Sequence, residues 1–137
     1  MSLILDSSAT LAWIYPHETT DAIRRVFEII TAEGCVVPEL WRLEVANGLT
    51  IGLRRGRITA AFRANAFNVL ALTPIAVDPE TDIHAWTTTL QLADRFGLTL
   101  YDAVYLELAQ RRALPLATLD GALRAGAQTL GVPLLGE

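Results

Sequence analysis

Short uninterrupted apolar runs alternate along this chain with longer stretches whose apolar residues recur every three or four positions. The runs Leu3–Leu5, Cys35–Val37, Pro74–Val77, Leu116–Thr118 and Val132–Leu135 predict strands. Most are continuous rather than alternating with polar residues, as strands buried on both faces of a parallel sheet read. The periodic stretches predict helices over Ser8–Ile14, Thr20–Ala32, Glu39–Arg54, Thr59–Leu70, Glu80–Arg95, Tyr101–Arg112 and Gly121–Leu130. Local punctuation agrees: Pro38 precedes one helix, Gly97 follows another, and Asp120 can cap a third. Pro115 and Pro133 fall at strand starts, where a missing N–H is tolerated. Strands alternating with helices, with no repeat or linker, predict one domain over residues 1–137. Its architecture is α/β, a three-layer α/β/α sandwich with a mainly parallel sheet of about five strands.

Composition narrows the chemistry. At 137 residues and 52% hydrophobic the chain can bury a sizeable core. No apolar run is long enough to cross a membrane, and Met1-Ser2 leads straight into Leu3-Ile4-Leu5 with no signal-peptide pattern, so a cytoplasmic location is expected. Cys35 is the single cysteine, which excludes an internal disulfide, a CxxC pair and a zinc cluster of cysteines. All 11 basic residues are Arg. Without Lys, a P-loop and a Schiff-base enzyme are both excluded. The net charge of −4 argues against a polycationic tail for nucleic acid.

Four carboxylates stand out against this apolar background. Asp6 ends the run Leu3-Ile4-Leu5, and Asp120 follows Leu116-Ala117-Thr118-Leu119. Ligands of open α/β sheets bind beyond the carboxyl ends of the strands, so these two acids can converge on one edge. Glu44 shares a helical face with Leu40, Trp41, Asn47, Gly48 and Ile51, and Asp102 with Tyr105, Leu106 and Ala109. Both faces are largely apolar or small and are expected to turn inward, where an unpaired charge is costly. Neither acid has an Arg three or four residues on. A hard divalent cation is the economical partner, since such ions choose oxygen ligands. Asp6 and Asp120 also fit helix N-caps, a role compatible with cation binding.

Other polar residues read as less specific. His17 is expected in a surface loop, His84 on an exposed helical face, and Glu39 in a first helical turn. Asp78, Glu80 and Asp82 read as a solvated turn. Trp13, Trp41 and Trp86 read as core. Arg54, Arg55 and Arg57 form the densest basic cluster, on or just beyond the helix of Glu44, where they could reach phosphate. Arg111 and Arg112 form the next.

The order of these pieces resembles a known family. Leu5-Asp6-Ser7-Ser8, then Pro38-Glu39-Leu40-Trp41-Arg42-Leu43-Glu44-Val45-Ala46-Asn47, then Leu98 through Leu106 around Tyr101-Asp102, then Leu116-Ala117-Thr118-Leu119-Asp120 are similar to the PIN-domain ribonucleases. Within that family the chain resembles the VapC-type toxins of toxin–antitoxin pairs. Each motif is short, and the ordered set carries the resemblance over nearly the whole chain. It implies a PIN-like fold and a metal-dependent endoribonuclease. Asp6, Glu44, Asp102 and Asp120 would be the acidic catalytic and metal-binding quartet, supported by Ser7, Asn47 and Thr118. It further implies Mg²⁺, or Mn²⁺ in its place, an RNA substrate, a homodimer, and a small DNA-binding antitoxin that covers the acidic cleft. Asp6 and Asp102 are expected as principal ligands.

Two other functions fit an α/β sheet with strand-end acids. A phosphatase of the haloacid dehalogenase type would need Asp-x-Asp or Asp-x-Thr, whereas Ser8 stands two places after Asp6 and Lys is absent. A non-catalytic α/β interaction module, such as a receiver domain with Asp78 as its acid, would also need the missing Lys. A nuclease fold retained only for binding is the remaining alternative.

Overall fold

The computed structural model describes residues 2–137. Its strands are β1 (Ile4–Leu5), β2 (Cys35–Pro38), β3 (Ile75–Asp78), β4 (Leu116–Ala117) and β5 (Leu134–Leu135). They form one sheet in the order β3-β2-β1-β4-β5, and every pairing is parallel. The five expected strands are therefore all present, each within two residues of its expected start. Leu3, Ile4, Leu5, Val37, Leu116 and Ala117 are fully buried, the physical reason their runs lack alternation.

The helices are α1 (Ser7–Ile14), α2 (Asp21–Glu33), α3 (Trp41–Arg54), α4 (Ala60–Ala71), α5 (Thr81–His84), α6 (Thr88–Phe96), α7 (Leu100–Arg112) and α8 (Gly121–Leu130), with a 3₁₀ turn at Pro16–Glu18. From β1 the chain moves outward through β2 to the β3 edge. It then crosses back to β4 and continues to β5. With right-handed crossovers, α1–α4 cover one face and α5–α8 the other. The sheet's switch point lies between β1 and β4, so the residues just after these two strands meet in the crevice there. Helix α7 is buried continuously from Ala103 to Ala109 and packs on β1, β2 and β4. On the other face, α3 lies close against α1: a Cβ at Gly48 would fall 2.6 Å from Leu11 Cδ1.

Several expectations need correction. The helix expected over Glu80–Arg95 is two helices, because Thr87 leaves helical geometry at φ −121 and ψ −100. Three consecutive β-branched residues, Thr87-Thr88-Thr89, favour a break there. Trp86, beside the break, is 89% exposed rather than core. Trp41 is buried and its indole donates to Thr10, while Trp13 is half-buried and stacks on Phe27. His17 is exposed, as expected. His84 is not on an exposed face: its Nε2 is buried, 4.0 Å from both Glu80 and Glu107, with no hydrogen-bond partner among the described residues.

The turn around Asp78 is the largest departure. Asp78 is fully buried at the end of β3 rather than solvated. Arg111 clasps it through two bonds of 2.8 and 3.1 Å, and Arg112 adds a third of 2.7 Å. Arg111 also bonds Glu107 at 2.9 Å, one turn back on α7, and Glu80 at 3.2 Å. This network locks the β3 edge to the end of α7. The Arg111 guanidinium holds the Asp78 carboxyl far below the usual carboxylate range.

Replacing Arg111 with Met should leave Asp78 buried and undercompensated, costing about 3 kcal/mol near neutral pH. Because the folded-state pKa of Asp78 is depressed, its contribution is present above the ordinary value of 3.8 and fades as pH falls below it. Urea unfolding at pH 7 and at low pH checks this. The gap between wild type and variant should shrink in acid.

Candidate functional site

Asp6 immediately follows β1, and its side chain does two things at once. One carboxylate oxygen caps α1, accepting from the Ala9 N–H at 2.9 Å and from the Ser8 hydroxyl at 2.7 Å. The other accepts a short hydrogen bond from the Thr118 hydroxyl. Thr118 Oγ1 in turn accepts from the Asp120 N–H at 3.0 Å, so one hydroxyl links the ends of β1 and β4. Arg124 steadies this corner by donating to the carbonyls of Thr118 and Leu135 at 2.7 and 3.1 Å. Asp120 caps α8 through the Leu123 N–H at 3.1 Å. The cap and the sheet-edge readings of Asp6 and Asp120 thus hold together.

The two helical acids arrive from opposite layers. Glu44, half-buried near the start of α3, accepts from the Tyr105 hydroxyl of α7 at 2.5 Å. Asp102 stands in the first turn of α7, which Thr99 caps by accepting its N–H at 3.1 Å. Tyr105, Leu106 and Ala109 are buried, so the inward face expected for Asp102 is present. The face expected for Glu44 is only partly inward: Trp41 is buried, but Asn47 is exposed and Ile51 is 40% exposed. Helix α3 runs along the rim, which leaves Glu44 at the boundary between core and solvent.

Electrostatic repulsion links the acids pair by pair: Asp102 with Asp6, Glu44 and Asp120, and Asp6 with Glu44. Asp6 is 4% exposed, and burial raises its carboxyl above the usual range. Hydrogen bonds from Ala9, Thr118 and Ser8 oppose this, and the Asp102 charge adds to it. Glu44 is raised by burial and by the charges of Asp102 and Asp6, against the pull of Tyr105 and Ser7. Asp102 is raised by burial and by the Asp120 charge. Each repulsion joins residues from different elements. Among the described residues, no three His, Cys, Asp or Glu side chains stand in ready-made ligand geometry. Hydroxyls and helix termini hold the carboxylates individually.

Of the supporting residues, Thr118 is central, and Ser7 opposes the rise at Glu44 and Tyr105. Asn47 is exposed, outside this network. Ser8 and Tyr105 were not singled out from sequence. Ser8 donates to Asp6 and accepts from the Leu119 N–H at 2.9 Å, a bridge across 111 positions that no local pattern announces. Tyr105 sits in an apolar helix and reads as core. Arg54, Arg55 and Arg57 are exposed at the far end of α3, roughly 15 Å along the axis from Glu44. Arg57 lies over the Tyr15 ring at 4.9 Å and 3.5 Å from Glu18.

The raised pKa of Asp102 means that its ionised form costs the folded state stability. That cost is absent below the ordinary value of 3.8 and grows as pH rises through the higher folded value. Asp102→Asn, melted in chelator, should therefore match or exceed wild type in Tm at neutral pH. The advantage should vanish near pH 3. A large loss of Tm at neutral pH would contradict mutual repulsion among the acids.

Comparison with known proteins follows the same geometry. Residues 3–128 match the PIN domain. Ribonuclease VapC3 of Pyrobaculum aerophilum is 30% identical over 120 residues, covering 88% of this chain and 90% of that protein. Among solved structures, PAE2754 from Pyrobaculum aerophilum superposes with a TM-score of 0.72 at 26% identity, covering 98% of this chain and 83% of that one. A toxin–antitoxin complex from Klebsiella pneumoniae shares the fold, with a TM-score of 0.55 at 15% identity over 86% of each chain. The chain belongs to the PIN-domain family, among the relatives of the VapC ribonucleases.

Proposed function

We propose that this chain is a metal-dependent endoribonuclease that hydrolyses RNA phosphodiester bonds and is the toxin half of a type II toxin–antitoxin pair. The observation that carries the reading is the Thr118 hydroxyl, which ties the Asp6 carboxylate after β1 to the Asp120 backbone after β4, while the charges of Asp6 and Asp102 bear on Glu44 and that of Asp120 on Asp102. A relative named a ribonuclease supports the substrate class. The family assignment leaves no place for the phosphatase or receiver alternatives.

The donor set fits a hard divalent ion, because all four side chains offer oxygen and no sulfur or nitrogen competes. Mg²⁺ is the proposed ion, with Mn²⁺ able to replace it. When bound, it supplies charge neutralisation and polarisation of a phosphodiester. Asp6 and Asp102 are the principal ligands on this reading. Ser8 and Thr118 fix the plane of the Asp6 carboxylate, and Glu44 serves as a further ligand or holds the attacking water. Asp120 completes the set from the β4 side. The Ser8 and Thr118 hydroxyls are taken up in holding the Asp6 carboxylate, so water is the attacking group on this reading. Arg54 and Arg55, remote from the acids, would meet a phosphate away from the scissile one.

Two exposed apolar side chains flank the acids: Leu43, 75% exposed beside Glu44, and Tyr101, 67% exposed beside Asp102. They favour an apolar contact next to the site, in keeping with a homodimer. A small antitoxin would block the carboxylates, most simply with an Arg that pairs with them. No helix among the described residues is long and apolar enough to cross a membrane.

Incubation of the purified chain with RNA tests the activity. Cleavage should stop in excess EDTA and return with Mg²⁺ or Mn²⁺. Asp102→Asn should lose it while keeping the fold. Undiminished cleavage in chelator, or full activity of the variant, would overturn the reading.

A further inference from the structure

We propose that Tyr105 is a positioning residue for Glu44: its hydroxyl fixes one carboxylate oxygen and so sets how that acid is presented to a divalent cation. The inference rests on the proposed metal site and assigns a part in it to a residue outside the four acids.

Tyr105 is 1% exposed, and its ring is embedded in the buried stretch of α7. The phenol oxygen is therefore held by a rigid element. Glu44 is the opposite case: a long, half-buried side chain at the rim of α3, beside the exposed Leu43. Left alone it has several rotamers to choose from, and the charges of Asp6 and Asp102 drive it outward toward water. The 2.5 Å bond from the Tyr105 hydroxyl to Glu44 Oε1 opposes both tendencies.

The bond is also placed to couple the two helical acids. Tyr105 lies three residues after Asp102, so one turn of α7 presents Asp102 and grips Glu44. Helices α3 and α7 lie on opposite faces of the sheet, and this bond spans the crevice between them. Ser7, at the start of α1, favours the ionised form of both partners, an influence from the β1 side. With Oε1 committed, Oε2 is the oxygen left to face a ligand. A buried phenol that merely needed an acceptor would have no influence on cation binding. Hydrogen-bonding partners of metal ligands characteristically do, because they fix the ligand's orientation.

The test uses Mn²⁺ alone, with free Mn²⁺ read by electron paramagnetic resonance on the full chain. Tyr105→Phe keeps the ring, and the released Glu44 can hydrate, so circular dichroism should show an intact fold. Mn²⁺ affinity should fall by roughly tenfold or more in Tyr105→Phe. Adding the same change to Glu44→Ala should cost no further affinity. Wild-type affinity in Tyr105→Phe would reduce the phenol to a core residue and overturn the proposal. Equal losses with and without Glu44 would show that it acts through helix packing, and would overturn it too. A wild-type chain that binds no Mn²⁺ would remove the metal site itself, an outcome distinct from either.

Discussion

The structure is organised around a carboxylate that has nowhere to go. Asp6 ends the central strand of a parallel sheet, with 4% of its surface exposed, and a buried ionised group must be stabilised by fixed dipoles or by opposite charge. Fixed dipoles supply part of this: the N-terminus of α1, the Ser8 hydroxyl and the Thr118 hydroxyl all point at it. They do not outweigh burial, and the Asp102 charge adds to the rise. Asp102 and Glu44 are themselves raised, by burial first and then by neighbouring carboxylate charges.

The same fold contains a second set of buried acids that is solved differently. Asp78 and Glu107 are as deeply buried as Asp6, but Arg111 and Arg112 reach them directly. That network closes the β3 edge and anchors the far end of α7. At the near end of the same helix, no Arg pairs with Asp102 among the described ion pairs. One helix therefore carries a compensated cluster at its C-terminus and an uncompensated one at its N-terminus. The first is a strut, and the second is where we place the proposed cation site.

The sheet was legible in the sequence because its strands are buried on both faces, which writes continuous apolar runs. The four acids stand out as candidates because each interrupts an apolar pattern. What was hidden depended on distant partners. Asp78 reads as a turn acid because Pro79 follows it, and the arginines that bury it come 33 and 34 residues later. Trp86 reads as core because tryptophan usually is, but the helix break at Thr87 turns it outward. Tyr105 is indistinguishable from packing until its hydroxyl is seen to meet an acid from the other layer. Ser7 and Ser8 are adjacent and chemically alike, and only the backbone direction after β1 decides which one holds Asp6.

The central claim is that Asp6, Glu44, Asp102 and Asp120 form one coupled site that accepts a divalent cation. Side-chain ¹³C NMR of the Asp and Glu carboxyls addresses it most directly. In the apo-protein, Asp6, Glu44 and Asp102 should titrate above the ordinary carboxylate range. Substoichiometric Mn²⁺ should broaden these three and Asp120 before Asp78 and Glu107. Ordinary titration of the three acids, with Mn²⁺ broadening exposed carboxylates indiscriminately, would contradict the account.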